Sequence, residues 1–542
     1  MCLQCGIMNQ LYAFRSFKSI RKGVISLVAV GLLMVCTSTL MFVHNPRQTL
    51  IGMILNLSEG SLFFNLWSNP PYEVFVKVYM FNITNAKEFL SGSEKMNVSE
   101  VGPYVYREVL TNENGTLNST DGTVTYYPHR EFFFVPEKSI GDPHEDHMMT
   151  TNIPLVGLQA FVYEKGFFAS LALTTLSKTL ASQPIKNLSV HEYLWGYKDT
   201  LLTYANTFLP HWIDFNTFGI FERLMSKDNG NVATIVNEPK KYHSPTESLF
   251  TETEKNFQYH IAKWNHLASL KDWGYEHLSP EEVTKCHLVE GSFDGTIFPR
   301  NIKPNQTIKL FRRAFCRPVQ LAFVKEMVGE YGFRQYEYQF AKDVFNINEE
   351  NKCYCYKNNC MNGFQSIAPC YYGIPISLSQ PHFLNVDPKM VQTVNGLNPS
   401  VEKHGSVCVI QPELGIPLSG SMKVQVNLDV RNTMANHVVA PFNGLQVPLF
   451  WLEITTTDLP SIVIFLLYLL CNVLPVALEI AKYLLLLGGL ALVSGSALYT
   501  LVRTKVQIPA SISLGHSDYT SIPIISIPNE FIDKCEKRFS LK

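Results

Sequence analysis

The sequence predicts an α+β membrane protein, a mixed helix-and-strand domain anchored by two transmembrane helices. Three observations carry this. Long apolar runs stand near both ends of the 542-residue chain. Every N-glycosylation sequon and a cluster of cysteines fall between those runs. In the same interval, stretches of strict alternation sit beside a long proline-free apolar stretch.

The first run, Gly23 to Val43, holds no charged residue. At ~1.5 Å per residue, about twenty residues cross the ~30 Å hydrocarbon core as one helix. Arg15, Lys18, Arg21 and Lys22 precede it and should stay cytoplasmic. An uncleaved anchor is expected rather than a signal peptide. The run exceeds a usual signal core, and His44-Asn45-Pro46-Arg47 is not a small-residue cleavage site.

The second run, Leu459 to Val502, is interrupted by Glu479 and Lys482. A charge at the midplane costs roughly 2.5–3.5 kcal/mol, which puts both at an interface. Tyr483 to Val502 then spans, with Arg503 and Lys505 following. Leu459 to Leu478 carries Pro460, Asn472 and Pro475, and a third crossing would put Arg503 and Lys505 outside. It is expected on or beside the outer leaflet. The organisation is therefore a cytoplasmic tail (1–22), a transmembrane helix (23–43), an ectodomain (44–482, with 459–478 membrane-proximal), a transmembrane helix (483–502) and a cytoplasmic tail (503–542).

Composition agrees. Hydrophobic residues make up 46% and charged residues only 17%, low for a soluble chain. The net charge of −1 gives no basic footprint for nucleic acid. Seven sequons stand at Asn56, Asn82, Asn97, Asn114, Asn118, Asn187 and Asn305, and both tails lack them. Of twelve cysteines, six cluster at Cys286, Cys316, Cys353, Cys355, Cys360 and Cys370. In a cytosolic protein Cys353, Cys355 and Cys360 would suggest zinc; beyond the membrane, disulfides are expected. Six cysteines allow fifteen pairings, and the residues alone do not choose. Cys408 is the odd one, either a buried thiol or a reactive or intermolecular cysteine.

Alternation marks strands at Tyr72 to Phe81, Thr123 to Phe134 and Ser421 to Arg431. Asp121-Gly122 and Asn229-Gly230 are hairpin-type turn signals. Leu155 to Leu180 reads as one or two helices, weakest at Gly157 and Gly166. No repeat divides the interval, so one ectodomain is expected.

Chemistry-bearing motifs are sparse. The run His144-Glu145-Asp146-His147 lacks the spacing of a zinc helix and reads as a solvated loop. No G-x-S-x-G elbow, P-loop or G-x-G-x-x-G occurs, so neither an enzyme nor a cofactor is expected. Cys2 and Cys5, near basic residues and a membrane, are lipidation candidates; Cys535 is a weaker one. Tyr519-Thr520-Ser521-Ile522 has the form of a Tyr-x-x-hydrophobic endocytic signal.

Several segments together resemble the class B scavenger receptors. They are FNITNAKEF (Phe81 to Phe89), VGPYVYRE (Val101 to Glu108), LWGYKDTLL (Leu194 to Leu202), PISLSQPHFL (Pro375 to Leu384) and GLNPSVEKH (Gly396 to His404). The resemblance runs from about residue 10 to about residue 505. It implies an antiparallel β-barrel ectodomain core with a helical apex bundle, and a hydrophobic tunnel from apex to membrane. It implies the pairs Cys286–Cys353, Cys316–Cys370 and Cys355–Cys360, the last across a loop shorter than the family's. The apex should fall within Ile153 to Pro210. Phe161, Phe167, Phe168 and Leu171 would line its entrance, with core packing as the ordinary alternative. Lys178, and more weakly Lys165 and Lys186, would meet anionic ligands there, with a solvated surface lysine as the alternative.

The function so implied is a cell-surface receptor that binds lipids and lipoprotein particles. It would pass fatty acids, sterol esters or carotenoids through the tunnel to the membrane. A concentration gradient suffices, because the tunnel spares the tail roughly 0.8 kcal/mol per exposed methylene. A recognition receptor for modified lipids, apoptotic cells or microbes, or a lysosomal sorting receptor for protein cargo, are the alternatives. The tail does not end in the acidic dileucine of the family's lysosomal branch. A second copy of the chain stays open as a partner.

Overall fold

The computed structural model describes residues 2–163, 166–208, 215–225, 230–255, 257–358, 360–431, 433, 436–457 and 459–507. Within 2–21 and 504–507, and at 163, 208 and 358, it describes the backbone alone. The chain forms two compact units, an ectodomain unit of Arg47–Pro475 and a unit of the two terminal segments.

Strands dominate the ectodomain unit. They are β1 (Val74–Ile83), β2 (Val98–Asn118), β3 (Thr123–Phe134), β4 (His147–Thr151), β5 (Ile185–Ser189), β6 (Tyr197–Lys198), β7 (Thr217–Phe218), β8 (Ala233–Val236) and β9 (Ile261–Trp264). The second half adds β10 (Ile308–Arg312), β11 (Arg317–Val328), β12 (Arg334–Phe340), β13 (Gln365–Ser366), β14 (Ile376–Ser379), β15 (Val407–Gln411), β16 (Ile416–Val430) and β17 (Leu445–Thr456). Thirteen of them join in one antiparallel sheet, ordered β10-β11-β12-β15-β16-β17-β1-β2-β3-β8-β9, with β14 on β16 and β13 on β14.

The sheet follows from β-branched and aromatic residues in period two, which fit a pleated, half-buried surface. Its centre is the β1–β17 pair, where Tyr79 lies opposite Trp451 and their rings stack at 3.9 Å. Asp121-Gly122 turns β2 into β3, with Gly122 at φ +65°. Asn229-Gly230 behaves differently. Asn229 lies outside the described residues, and Gly230 stands between the helix Ile220–Met225 and β8 rather than between two paired strands.

Strand pairing alone does not close the sheet into a barrel among the described residues. Its ends are β10 and β9. The segment 291–293 hydrogen-bonds to both. Ile261 N–H donates to Ser292 O at 2.7 Å, and Phe293 N–H donates to Lys309 O at 2.8 Å.

Leu155 to Leu180 forms two helices, Ile153–Tyr163 and Phe167–Thr179. Gly166, at φ +108°, precedes the second in a conformation that disfavours other residues. The first helix buries Ile153, Leu155, Val156 and Leu158 in the main core.

The C-terminal apolar run is helical from Ser461, through a π turn at Leu469–Val473, to Gln507. Pro475 has no N–H to give the carbonyl four residues earlier, and the π turn accommodates that loss. The part inside the ectodomain unit buries Leu467 against Ile51, Leu55, Phe333 and Leu414.

In the other unit two helical segments are long and apolar enough to span a membrane, Lys22–Val43 and part of Ser461–Arg503. The latter is 43 residues long, about twice what a ~30 Å core requires. The helices meet through small residues. A Cβ on Gly489 would lie 2.6 Å from Gly31 O, so only glycine allows this approach. Ser38 Oγ donates to Lys482 O at 2.9 Å, and Phe42 meets Tyr483 edge-on at 5.7 Å. Lys482 pairs with Glu479 at 2.6 Å.

Candidate functional site

Within the ectodomain unit lies a cavity of about 890 Å³, its open mouth included. Strands distant in pairing order share its lining. Leu310 comes from β10, Met422 from β16, Ile454 from β17, Val74 from β1 and Leu110 from β2. Only a sheet curled around its own face brings these together. The lining is mainly apolar.

One patch of that wall is ionic. Glu108, on the inward parity of β2 with Tyr104 and Tyr106, is fully buried. Arg312 Nη2 donates to its two oxygens at 2.7 and 2.8 Å, and Arg130 Nη1 also donates to Oε1. Burial would raise this carboxyl; the two guanidiniums outweigh that and hold it down to about 2. Asp294 faces the same space but uses neutral donors, Tyr126 Oη at 2.7 Å and Thr296 Oγ1 at 2.7 Å. Cys408 of β15 also lines the cavity. It is a buried free thiol, pushed up to about 12 by burial.

A second cluster joins the quoted segments. His382 of PISLSQPHFL and His404 of GLNPSVEKH stack at 4.3 Å. Glu100, just before VGPYVYRE, accepts from His382 Nε2 at 2.6 Å and Trp451 Nε1 at 2.7 Å. The three ligand-type groups lie within 4.8 Å of one another. Each Nδ1 accepts a backbone N–H, from Asn398 to His382 and from Ser400 to His404, both at 3.0 Å. A metal-bound imidazole ordinarily donates from its second nitrogen, so the set is built as a hydrogen-bond clasp on the 396–404 segment.

The other residues singled out from sequence are placed as follows. Disulfides join Cys286 to Cys353, Cys316 to Cys370 and Cys355 to Cys360. Asn97, Asn114, Asn118, Asn187 and Asn305 are exposed, and Asn56 and Asn82 are half-buried. Asn82 Oδ1 accepts the Met149 N–H at 3.0 Å, which leaves its amide nitrogen uncommitted there. Phe167 and Phe168 are 70% and 83% exposed and Leu171 is 50% exposed, so core packing does not explain them. Phe161 is half-buried beside Gly373, with Lys357 Nζ over its ring. Lys178 is exposed, whereas Lys186 is engaged by Asp199.

His144, Glu145 and His147 are exposed and Asp146 accepts from Tyr104 Oη, so that run is a loop that enters β4 at His147, with no common focus. Cys2 and Cys5 lie in the N-terminal helix, their side chains outside the description. Lys165, Pro210, Tyr519, Ile522 and Cys535 lie outside the described residues. Sequence reasoning did not pick out Glu108, Arg130 and Arg312. The available signal was charge at inward-facing parity in strands rich in apolar residues.

Two membrane-compatible helices, three disulfides and a curled antiparallel sheet around an apolar cavity define a membrane-anchored binding protein. A family model described as the CD36 family matches residues 24–500, and the chain belongs to that family. Scavenger receptor class B member 1 of Mus musculus is 29% identical over 477 residues, covering 86% of this chain and 87% of the relative. Lysosome membrane protein 2 of Mus musculus is 30% identical over 416 residues, covering 74% and 79%. The Homo sapiens lysosome membrane protein 2 is 28% identical over 408 residues.

Proposed function

We propose that this chain is a class B scavenger receptor that takes lipid from particles and passes it through the ectodomain to its own membrane. The observation that carries this is the cavity, whose walls come from strands across the whole sheet. The hydrogen bonds of segment 291–293 to β9 and β10 support a barrel-like enclosure. Exposed Phe167, Phe168 and Leu171 on the helix Phe167–Thr179 supply an apolar surface where a lipid can leave a particle. Lys178 in the last turn of that helix suits an anionic particle surface. In this reading residues 23–43 and 483–502 span the membrane, both tails are cytoplasmic, and the protein acts at the plasma membrane. The sequons then face the lumen.

The test is uptake of labelled fatty acid, sterol ester and carotenoid, offered free and in lipoprotein, by cells displaying the chain. Met422→Trp would fill the cavity from β16. Uptake should fall with the variant while surface display and glycosylation persist. Binding without entry in the unaltered chain would make it a recognition receptor instead. The relatives named lysosome membrane protein 2 favour a second location, the lysosome. Microscopy of the full chain decides between the two.

A further inference from the structure

The helix Pro46–Ile54 is apolar on both of its sides. Ile51 and Leu55 turn inward, 5% and 2% exposed, and join Leu414 and Leu467 in one buried cluster. Met53 and Ile54 turn outward, 63% and 46% exposed, with Leu50 half-buried beside them. A helix apolar all round is ordinarily covered on every side, yet this one leaves its outer side open.

A cation without a counter-ion lies against the same helix. Arg300 is half-buried and makes no hydrogen bond or ion pair with any described residue. Of its guanidinium nitrogens, Nε alone is enclosed without a partner, which leaves the terminal pair as the open donors. That pair lies over Gly52, where a Cβ would stand 3.2 Å from Nη1 and 3.7 Å from Nη2. The loop that presents Arg300 is fixed on both sides. Phe298 N–H donates to Gly415 O at 2.8 Å, and Ile302 N–H donates to Pro412 O at 2.9 Å. Glu413, in the facing turn, spends its carboxylate on Arg47.

We propose that Arg300 and the outer side of the helix Pro46–Ile54 form a docking surface for the phospholipid head groups of the chain's own bilayer. Met53 and Ile54 enter the head-group boundary, and Arg300 donates to a lipid phosphate beside them. Chain continuity supports this occupant. Only His44 and Asn45 separate the helix from the membrane-length segment Lys22–Val43, and two residues reach at most ~7 Å. Charge supports it too. A guanidinium matches phosphate in geometry, and among head groups it keeps both its hydration and a counter-charge. A second copy of the chain docked on this patch about a two-fold axis would instead bring two unpaired arginines into one apolar interface. The inference rests on the reading of 23–43 as a span, and not on lipid passing through the cavity.

The experiment uses the full chain in phosphatidylcholine nanodiscs, with photoreactive p-benzoylphenylalanine placed in turn at Met53, Ile54, Leu33 and Val401. Leu33, in the first apolar segment, reports the span, and Val401, 71% exposed on another helix, reports solvent. Tagged phosphatidylcholine and tagged diacylglycerol with the same acyl chains are included as equal traces. Met53 and Ile54 should label with tagged phosphatidylcholine at least about fivefold more than Val401. At Ile54 the phosphate-bearing lipid should exceed diacylglycerol roughly fivefold, the scale of one arginine at a lipid surface, with no preference at Leu33. Arg300→Gln should bring the ratio at Ile54 down to that at Leu33, and Arg300→Lys should restore part of it. Labelling at Met53 and Ile54 no stronger than at Val401, while Leu33 labels, overturns the docking surface. Crosslinks to a second copy of the chain in place of lipid overturn it as well. A ratio unmoved by Arg300→Gln overturns the arginine's part. If Leu33 also fails to label, the span reading falls and takes the inference with it. Should Arg300→Gln not fold, the chain carrying Arg300 still decides, because equal labelling by the two lipids at Ile54 overturns the phosphate contact.

Discussion

Lowering the pH from 7 to 5 should destabilise the ectodomain by nearly 2 kcal/mol through His404 alone. Burial, then the neighbouring His382, lowers the His404 imidazole to about 4; Lys423 and Lys403 act the same way and Glu100 opposes them. An unfolded histidine titrates near ~6.5. Because the folded value is the lower one, the neutral ring stabilises the fold above ~6.5. That contribution is lost as the pH falls toward 4, while the unfolded chain takes up the proton first. At pH 7 the differential is well under ~1 kcal/mol and at pH 5 about 2 kcal/mol. The geometry gives the same sign, since Nδ1 already accepts the Ser400 N–H and a proton there would break that bond. With about 2.1 cal/mol/K per residue over Arg47–Pro475, the loss corresponds to about 2 °C in Tm. The assay is thermal unfolding of the full chain followed by tryptophan fluorescence, at pH 7 and pH 5, against His404→Asn. The asparagine oxygen can accept the Ser400 N–H but does not titrate. If the variant loses as much Tm as the original chain between the two pH values, the reasoning is refuted.

Removing the Cys286–Cys353 bond, which spans 67 residues, should cost about 4 kcal/mol, about 5 °C in the same melting assay. Gly489→Leu should force the terminal helices apart at Gly31, lowering crosslinking between cysteines placed at Ser38 and Lys482. Phe167→Ser with Phe168→Ser should leave Tm within about 1 °C, because both rings are exposed, while reducing lipoprotein capture on cells. Asn114→Gln and Asn118→Gln should each remove one glycan step on a gel. Asn82→Gln should also lower Tm by displacing the acceptor of the Met149 N–H.

Local pattern made much of the fold legible. Alternation marks Thr123 to Phe134 because each neighbour points to the opposite face, and that interval is β3. The helix break at Gly166 was visible as a weak point because glycine alone tolerates φ +108° cheaply. The Asn229-Gly230 signal misled because a turn dipeptide reports local backbone preference, not what flanks it. The cavity was not legible from periodicity. Met422 and Leu110 share its wall through sheet curvature, which no local spacing encodes. The ionic patch was half legible: the parity of Glu108 pointed it inward, but Arg312 is 204 residues away. The His382–His404 clasp was legible only as two separate motifs. Their meeting depends on the turn at His382, at φ +53°.

The pairing of β1 with β17 has a consequence for biosynthesis. Lys77 and Glu453 are register partners separated by 376 residues. At about 5–20 residues per second, β1 emerges from the ribosome about 20–75 s before its neighbour exists. In that interval one edge of β1 offers unpaired N–H and C=O groups along an apolar strand, a template for the wrong chain. Asn82, a sequon asparagine within β1, lies just past Met80, the last residue of that strand paired with β17. A bulky sugar attached there early would shield the waiting strand until the last part of the sheet arrives.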